Sequence, residues 1–293
     1  MVGAGGQSVA LACPAMGTRF ELVLEAGGER ALRSAGEAAM EEIARWHGLL
    51  SAFDRASVVS RLNRAAYAGP VPVPPEIVAL LRWCVEASQA TGGAFNPAVG
   101  HMMRAAGFRG DTADGPADGQ QQGPGVRVLR DDIELTTTHV RFTRPIALDF
   151  GAVGKGWALD HAASVLREHG VTRALVHGGT SSIVTIGGPW RVALDDAGVI
   201  DLSDASLGVS APSGRTVGLG DDARGHILDP RTGRSATTLG AAVTGPSAAV
   251  CDAWSTALVV DPSLAADSAF PAGYRAHLNA GSGYRTPLNT FSV

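Results

Sequence analysis

The chain has 293 residues, 24 of them basic and 28 acidic, for a net charge of −4 at neutral pH. Basic residues nowhere cluster with aromatics, which argues against nucleic acid as a partner, and no apolar run approaches the ~18–20 residues of a membrane span. A hydrophobic content of 45% allows a substantial core, while 38 glycines and 16 prolines require many turns.

Cys13, Cys84 and Cys251 are odd in number and widely spaced, with no CxxC pair. That favours a reducing compartment or inert thiols over a disulfide framework. The stretch Met1–Gly17 has no basic region and only a short apolar run, so no signal peptide is expected. Ala10–Cys13 lacks the apolar segment that would precede a lipidated cysteine. The expectation is a soluble, cytoplasmic protein.

In chain order, Arg19–Glu25 alternates like a strand. Arg30–Leu50 carries Leu32, Ala35, Ala39, Ile43, Trp46 and Leu50 in a three-and-four rhythm that predicts a helix with one buried stripe. Ser51–Asn63 reads as polar and irregular. Pro74 and Pro75 start a second helix, with Ile77, Leu81, Cys84 and Ser88 on one face and a stop at Thr91-Gly92-Gly93. Residues 107–125 have almost no apolar content and read as a mobile surface loop. Val126–Arg130 and Ile133–Thr136 flank Asp131-Asp132 as a hairpin, and Val140–Thr143 follows as a strand.

Ile146–Phe150 reads as a buried strand that breaks into Gly151-Ala152-Val153-Gly154-Lys155-Gly156 and resumes as a helix over Trp157–His169. Mainly strands come next: Ala174–His177, Ile183–Ile186, Arg191–Leu194, Leu207–Ser210 and His226–Asp229. Thr238–Thr244 leads into a helix over about Ser247–Val260, and Tyr274–Ala280 is a late strand. Helices and strands interleave without regular βαβ alternation, which predicts an α+β fold with largely antiparallel sheet, in a single domain over residues 1–293.

Four stretches could carry chemistry. A strand, glycine loop and helix in succession can bring bare backbone and a helix N-terminus against a phosphate, with Lys155 adding a full charge; a tight turn that needs glycine explains the same residues. The loop is not a GxxxxGK[ST] phosphate loop. On the helix after Pro246, Asp252 and Thr256 lie four apart and share a face. Carboxylate plus hydroxyl suits a hard cation such as Mg²⁺, or else Asp252 serves the helix dipole and Thr256 packs.

His226 precedes Asp229-Pro230-Arg231-Thr232-Gly233, good turn chemistry; it is structural, or a base or phosphate contact. Thr91–Gly100 walls a planar ligand or merely turns. GxSxG, HExxH and GxGxxG after a strand are all absent, and the histidines are not spaced as a metal cluster.

Taken in order, MGTRF (16–20), SAFDRASVVSRLN (51–63), TGGAFNPAVG (91–100), LDFGAVGKGWALD (148–160), HGGT (177–180), GHILDPRTG (225–233) and DAWSTAL (252–258) resemble the ApbE family of FAD:protein FMN transferases. The resemblance implies a T-fold-like α+β architecture that binds FAD in a cleft with Mg²⁺. It further implies cleavage of the FAD pyrophosphate, with FMN joined to a threonine or serine of a target flavoprotein and AMP released.

By the same resemblance, Ala152 (through its carbonyl), Asp252 and Thr256 hold Mg²⁺. Met16, Phe53, Ala94, Phe95, Asn96, Asp149, Lys155, His226 and Ile227 line the FAD site, and His226 is the candidate base. The chain departs from the family where Asn96-Pro97-Ala98-Val99 replaces a common DPTV, where Phe53 replaces tyrosine, and where Thr180 follows two glycines in place of aspartate. An STSG-like stretch is here Ser210–Gly214. These departures bear on target choice, and leave FAD hydrolysis to FMN and AMP, or flavin binding without transfer, as the alternatives.

Overall fold

The computed structural model describes residues 8–108, 128–194, 198–212, 216–217, 224–236 and 240–278. The central layer is a seven-stranded sheet with every neighbour antiparallel. Its strands are β1 (Val9–Ala15), β2 (Thr18–Glu25), β6 (Arg173–Gly178), β7 (Ser182–Ile186), β10 (Ser206–Ser210), β13 (Ala241–Gly245) and β14 (Arg275–Leu278), side by side in that order. Three smaller units accompany it. One is a three-stranded sheet of β3 (Val71–Pro72), β5 (His139–Phe142) and β4 (Ile133–Leu135); the others pair β8 (Trp190–Leu194) with β9 (Gly198–Leu202), and β11 (Thr216–Val217) with β12 (Arg224–Gly225).

Alternation along the strands directs two cores. Phe20, Leu22, Leu24, Val176 and Val184 face one way, onto Ile43 of α1 (Glu29–Leu50) and Leu159 and Leu166 of α5 (Gly154–Glu168). Leu175, Ile183, Leu207 and Ala242 face the other way, onto Trp190, Val192 and Leu202 of the β8–β9 ribbon. With both faces covered, every residue of β7 is buried, whereas β2 keeps a half-exposed face.

A third core joins the end of α1, α2 (Val58–Ala65), α3 (Pro75–Ala90), the chain around Phe95 and Leu148, and α6 (Ala248–Val260); the short α4 (Gly100–Ala105) follows the Phe95 segment. The predicted stripe of α1 is buried throughout, as is the face Ile77, Leu81, Cys84 and Ser88 of α3. At the stop of α3, Gly92 and Gly93 have φ of 56° and 81°, the left-handed ending that glycine allows.

Several segments differ from the sequence reading. Ser51–Asn63 contains the start of α2, capped by Ser57, whose side chain accepts from the Ser60 amide at 3.0 Å; the apolar Val58, Val59 and Leu62 are too few to show a period, yet all are buried. Ile146–Phe150 is buried and belongs to no sheet. The Asn63 side chain takes the place of a neighbouring strand: its Oδ1 accepts from Leu148 N–H (2.7 Å) and its Nδ2 donates to the Leu148 carbonyl (3.1 Å).

The hairpin lies one step later than expected, β4 pairing with β5. Leu129–Asp132 is a 3₁₀ turn, because Asp132 is drawn inside by an ion pair with Arg144 instead of sitting at an exposed bend. His226–Asp229 is no strand beyond one bridge, Leu228 to Ser235; the Asp229 side chain captures the Arg231 amide at 2.8 Å and curls the chain. The α5 helix starts at Gly154, three residues ahead of the sequence expectation, so the glycines and Lys155 form its first turn. The strands β1, β3, β9, β11 and β12 and the short helix α4 lie outside the elements expected from the sequence. Most of the loop read at 107–125 lies outside the described residues, as do parts of the segments read at 126–130, 238–244 and 274–280.

Candidate functional site at one end of the sheet

The antiparallel register brings the end of β1, the starts of β2 and β7 and the ends of β6 and β10 to the same edge. Met16 and Gly17 turn the chain from β1 to β2 with φ of 50° and 72°, the primed turn that suits a twisted hairpin. Met16 N–H donates to His47 Nδ1 of α1 (3.1 Å), and the Met16 sulfur lies against Gly154 at the start of α5. Met16 also lines an open hollow with Pro14, Ala15, Thr18 and His47.

The centre of the site is where α5 meets α6. A Cβ at Gly156 would overlap the Ala248 carbonyl, and one at Gly208 of β10 would overlap the backbone at Cys251. Bare backbone on both sides lets α6 wedge between α5 and β10 with no side-chain layer. Asp252 is thereby buried at 5% exposure. Its Oδ2 accepts from Gly156 N–H (2.7 Å), and its Oδ1 accepts from Ser182 Oγ–H (2.8 Å). Burial pushes its carboxyl up to about 6, against the Lys155 charge, which is the strongest pull downward.

Gly156 is the third residue of α5, and its amide is one of the first four that have no carbonyl partner within a helix, so Asp252 serves it as a cap. The Ala152 oxygen, ahead of the helix, has no hydrogen bond among the described residues. One turn along α6, Thr256 Oγ1 has a single partner among the described residues, Ser210 Oγ, at 3.0 Å. A carbonyl, a buried carboxylate and a hydroxyl, all oxygen and with acceptor capacity in hand, are the donor chemistry of a hard cation. The residues present therefore fit Mg²⁺ at Ala152, Asp252 and Thr256.

The flavin-side residues divide by what they can offer. Ala94 and Phe95 are each 1% exposed, with Phe95 edge-on to Trp83, so their segment presents backbone, not side chains. Asn96 is spent partly on its own turn, its Oδ1 accepting from Ala98 N–H at 2.9 Å. Asp149 braces the glycine loop: its Oδ1 accepts from Gly151 N–H (2.7 Å) and its own amide donates to the Pro97 carbonyl (2.7 Å). The 94–100 segment and the glycine loop are thus one laced unit.

Phe53, at 62% exposure, is the large apolar ring that stands out to solvent on the loop after α1. Ile227 is buried, and its carbonyl accepts from Ala236 N–H (2.8 Å). His226, half-buried, is placed by the Asp229 turn and meets Phe108 edge-on. The hydrogen bonds that join the loop to α6 and β7 do not run through it.

Four residues at the junction escaped the sequence reading. Ser182 holds Asp252, Asn63 holds the strand-like run before the loop, Ser210 contacts Thr256, and Asp160 of α5 caps α6. Asp160 Oδ1 accepts from Ala248 N–H (2.8 Å), and its Oδ2 accepts from Ala249 N–H (3.0 Å) and Ser247 Oγ–H (2.6 Å). Each stands within or next to a quoted motif, and that adjacency was the available signal.

One edge of the antiparallel sheet thus gathers a glycine loop, a helix N-terminus and a set of oxygen donors. Two solved structures share the fold of this chain. The ApbE protein from Thermotoga maritima superposes with a TM-score of 0.80 at 24% identity over 93% of this chain and 94% of that one; the flavinyl transferase ApbE from Pseudomonas stutzeri does so with a TM-score of 0.79 at 21% identity over 96% and 94%.

The ApbE family model matches residues 16–269, and the chain belongs to the ApbE family. Curated relatives named FAD:protein FMN transferase include one from Escherichia coli K12, 26% identical over 72% of this chain and 66% of that protein. Another, from Rhodobacter capsulatus, is 33% identical over 68% and 41%. The chain thus spans less than two thirds of the length of these relatives. Among the described residues no helix is long and apolar enough to cross a membrane.

Proposed function

We propose that this chain is, in a single domain, an Mg²⁺-dependent flavin transferase. It moves FMN from FAD to a threonine or serine hydroxyl of a target flavoprotein and releases AMP. The observation that carries the reading is the bond from the Gly156 amide to buried Asp252, which ties the glycine loop to α6. The relatives named FAD:protein FMN transferase supply the reaction class.

Mg²⁺, held by Ala152, Asp252 and Thr256, would supply positive charge to the pyrophosphate as charge develops on the leaving phosphate. Lys155 and the first turn of α5 bind phosphate oxygens, since both charge and helix dipole favour an anion there. Exposed Phe53 and the backbone of Ala94–Asn96 receive the flavin nucleotide, with Met16 and Asp149 shaping the wall and Ile227 fixing the chain that carries His226. In the transfer, the acceptor oxygen bonds to the flavin-side phosphorus as the bond to the AMP phosphate breaks. The hydroxyl proton passes to His226 as general base, a step that a neutral imidazole can take near pH 7.

The test is incubation with FAD and Mg²⁺, with and without a peptide bearing an acceptor threonine. Release of AMP with a mass gain of FMN on the peptide is the expected result. Free FMN and AMP in place of the adduct would make the chain a pyrophosphatase, and intact bound FAD would make it a binding protein; either sinks the transferase. Replacing His226 by Asn should remove the acidic limb of the pH–rate profile, and an unchanged profile would discard its role as base.

A further inference from the structure

Proton counting along a part-buried row of hydroxyls assigns a task to two serines. Ser255 Oγ lies 3.0 Å from the Asp252 carbonyl oxygen, 2.9 Å from Ser210 Oγ, and Ser210 Oγ lies 3.0 Å from Thr256 Oγ1. A hydroxyl has one proton to give and two lone pairs to receive. A carbonyl cannot donate, so Ser255 must give its proton to Asp252. Ser210 must then donate to Ser255, and Thr256 must donate to Ser210. Each bond has one permitted direction, and the row ends with the Thr256 hydrogen turned toward β10 and its lone pairs facing away.

We infer that Ser210 and Ser255 are positioning residues that orient the Thr256 hydroxyl so that its lone pairs, and not its proton, face the cation. The inference rests on the metal reading above. Were the row reversed, Ser210 would occupy a Thr256 lone pair and the Thr256 proton would point outward, where a cation repels it. Ser255 is fully buried, so water has little room to stand in for its hydroxyl, and half-buried Ser210 closes the strand that α6 packs on. Asp252 anchors the row at its backbone while its carboxylate serves the same cation, so one residue couples both donors on α6.

The test is calorimetric titration of Mg²⁺ into the full chain with saturating ADP, which carries a pyrophosphate but no flavin to transfer. Ser210→Ala should weaken Mg²⁺ binding by about 10-fold or more, the usual cost of losing a residue that orients a ligand. Ser255→Ala should weaken it too, because Ser210 is then freed to donate to Thr256. Ser210→Thr, which keeps the hydroxyl, should restore the affinity.

Ser206→Ala serves as control, since it removes a hydroxyl bond from the same strand to the Pro246 carbonyl (3.4 Å); it should lower the melting temperature without changing Mg²⁺ affinity. Unchanged affinity in Ser210→Ala and Ser255→Ala, with binding lost in Asp252→Ala, would overturn the inference and leave the metal site standing. Equal weakening in all three serine variants would overturn it as general loosening. Failure of the unmodified chain to bind Mg²⁺, or binding that survives in Asp252→Ala, would remove the metal reading and the inference with it.

Discussion

Helices α5 and α6 exchange carboxylates at their N-termini, and the two aspartates end up in different conditions. Asp160 of α5 receives two backbone amides and a hydroxyl from the start of α6. Asp252 of α6 receives one amide from the start of α5 and one hydroxyl from β7. Burial raises both carboxyls above the ordinary aspartate value, Asp252 to about 6.

All three amides belong to the first turn of a helix and have no intrahelical partner, so both carboxylates act as caps. Asp160 takes three donors and Asp252 two. Asp252 therefore keeps the greater acceptor capacity, the quality that a cation ligand needs.

That contrast can be broken by substitution. The largest effect belongs to Asp252→Ala, which should abolish Mg²⁺-dependent turnover while leaving one amide, that of Gly156, without its cap; full activity in this variant would end the metal assignment. Asp160→Ala should act in the opposite sense. It strands two buried amides and costs about 2 kcal/mol in urea unfolding, and a loss no larger than that of Asp252→Ala would erase the distinction.

Ser247→Ala removes a cap on Val250 N–H and a donor to Asp160. About 1 kcal/mol should be lost, and an unchanged unfolding midpoint would show the cap to be idle. Smallest is a pH effect. A carboxyl raised in the folded state binds its proton more tightly there than when unfolded. Its contribution is therefore complete below the ordinary value of 3.8 and is lost as pH rises through the raised folded value. Asp160→Asn cannot titrate, so its stability should vary less with pH over that window; parallel curves for the two proteins would show that Asp160 is not the group responsible.

Much of this was legible in the sequence. The stripe of α1 and the face of α3 followed from spacing alone, because burial of one helix face repeats every three or four residues whatever it packs against. Asp252 and Thr256 were paired by the same rule, and the glycine loop was found from its composition. Ile146–Phe150 misled because a buried apolar run looks alike whether strands or an asparagine side chain satisfy its backbone. His226–Asp229 misled because local alternation was outweighed by the side-chain bond of Asp229 to the Arg231 amide.

By itself the sequence determined the long helices, most strands of the large sheet, the family resemblance and which residue types could hold phosphate or metal, since these depend on neighbours a few positions apart. Only the tertiary structure decided that Gly156 would surrender its amide to a carboxylate 96 residues away, that Asn63 would stand in for a strand 85 residues away, and that Ser210 would face Thr256. The first and last of those bonds exist because α6 packs on bare backbone between α5 and β10. A contact of that kind is set by the packing of whole elements, and no local period encodes it.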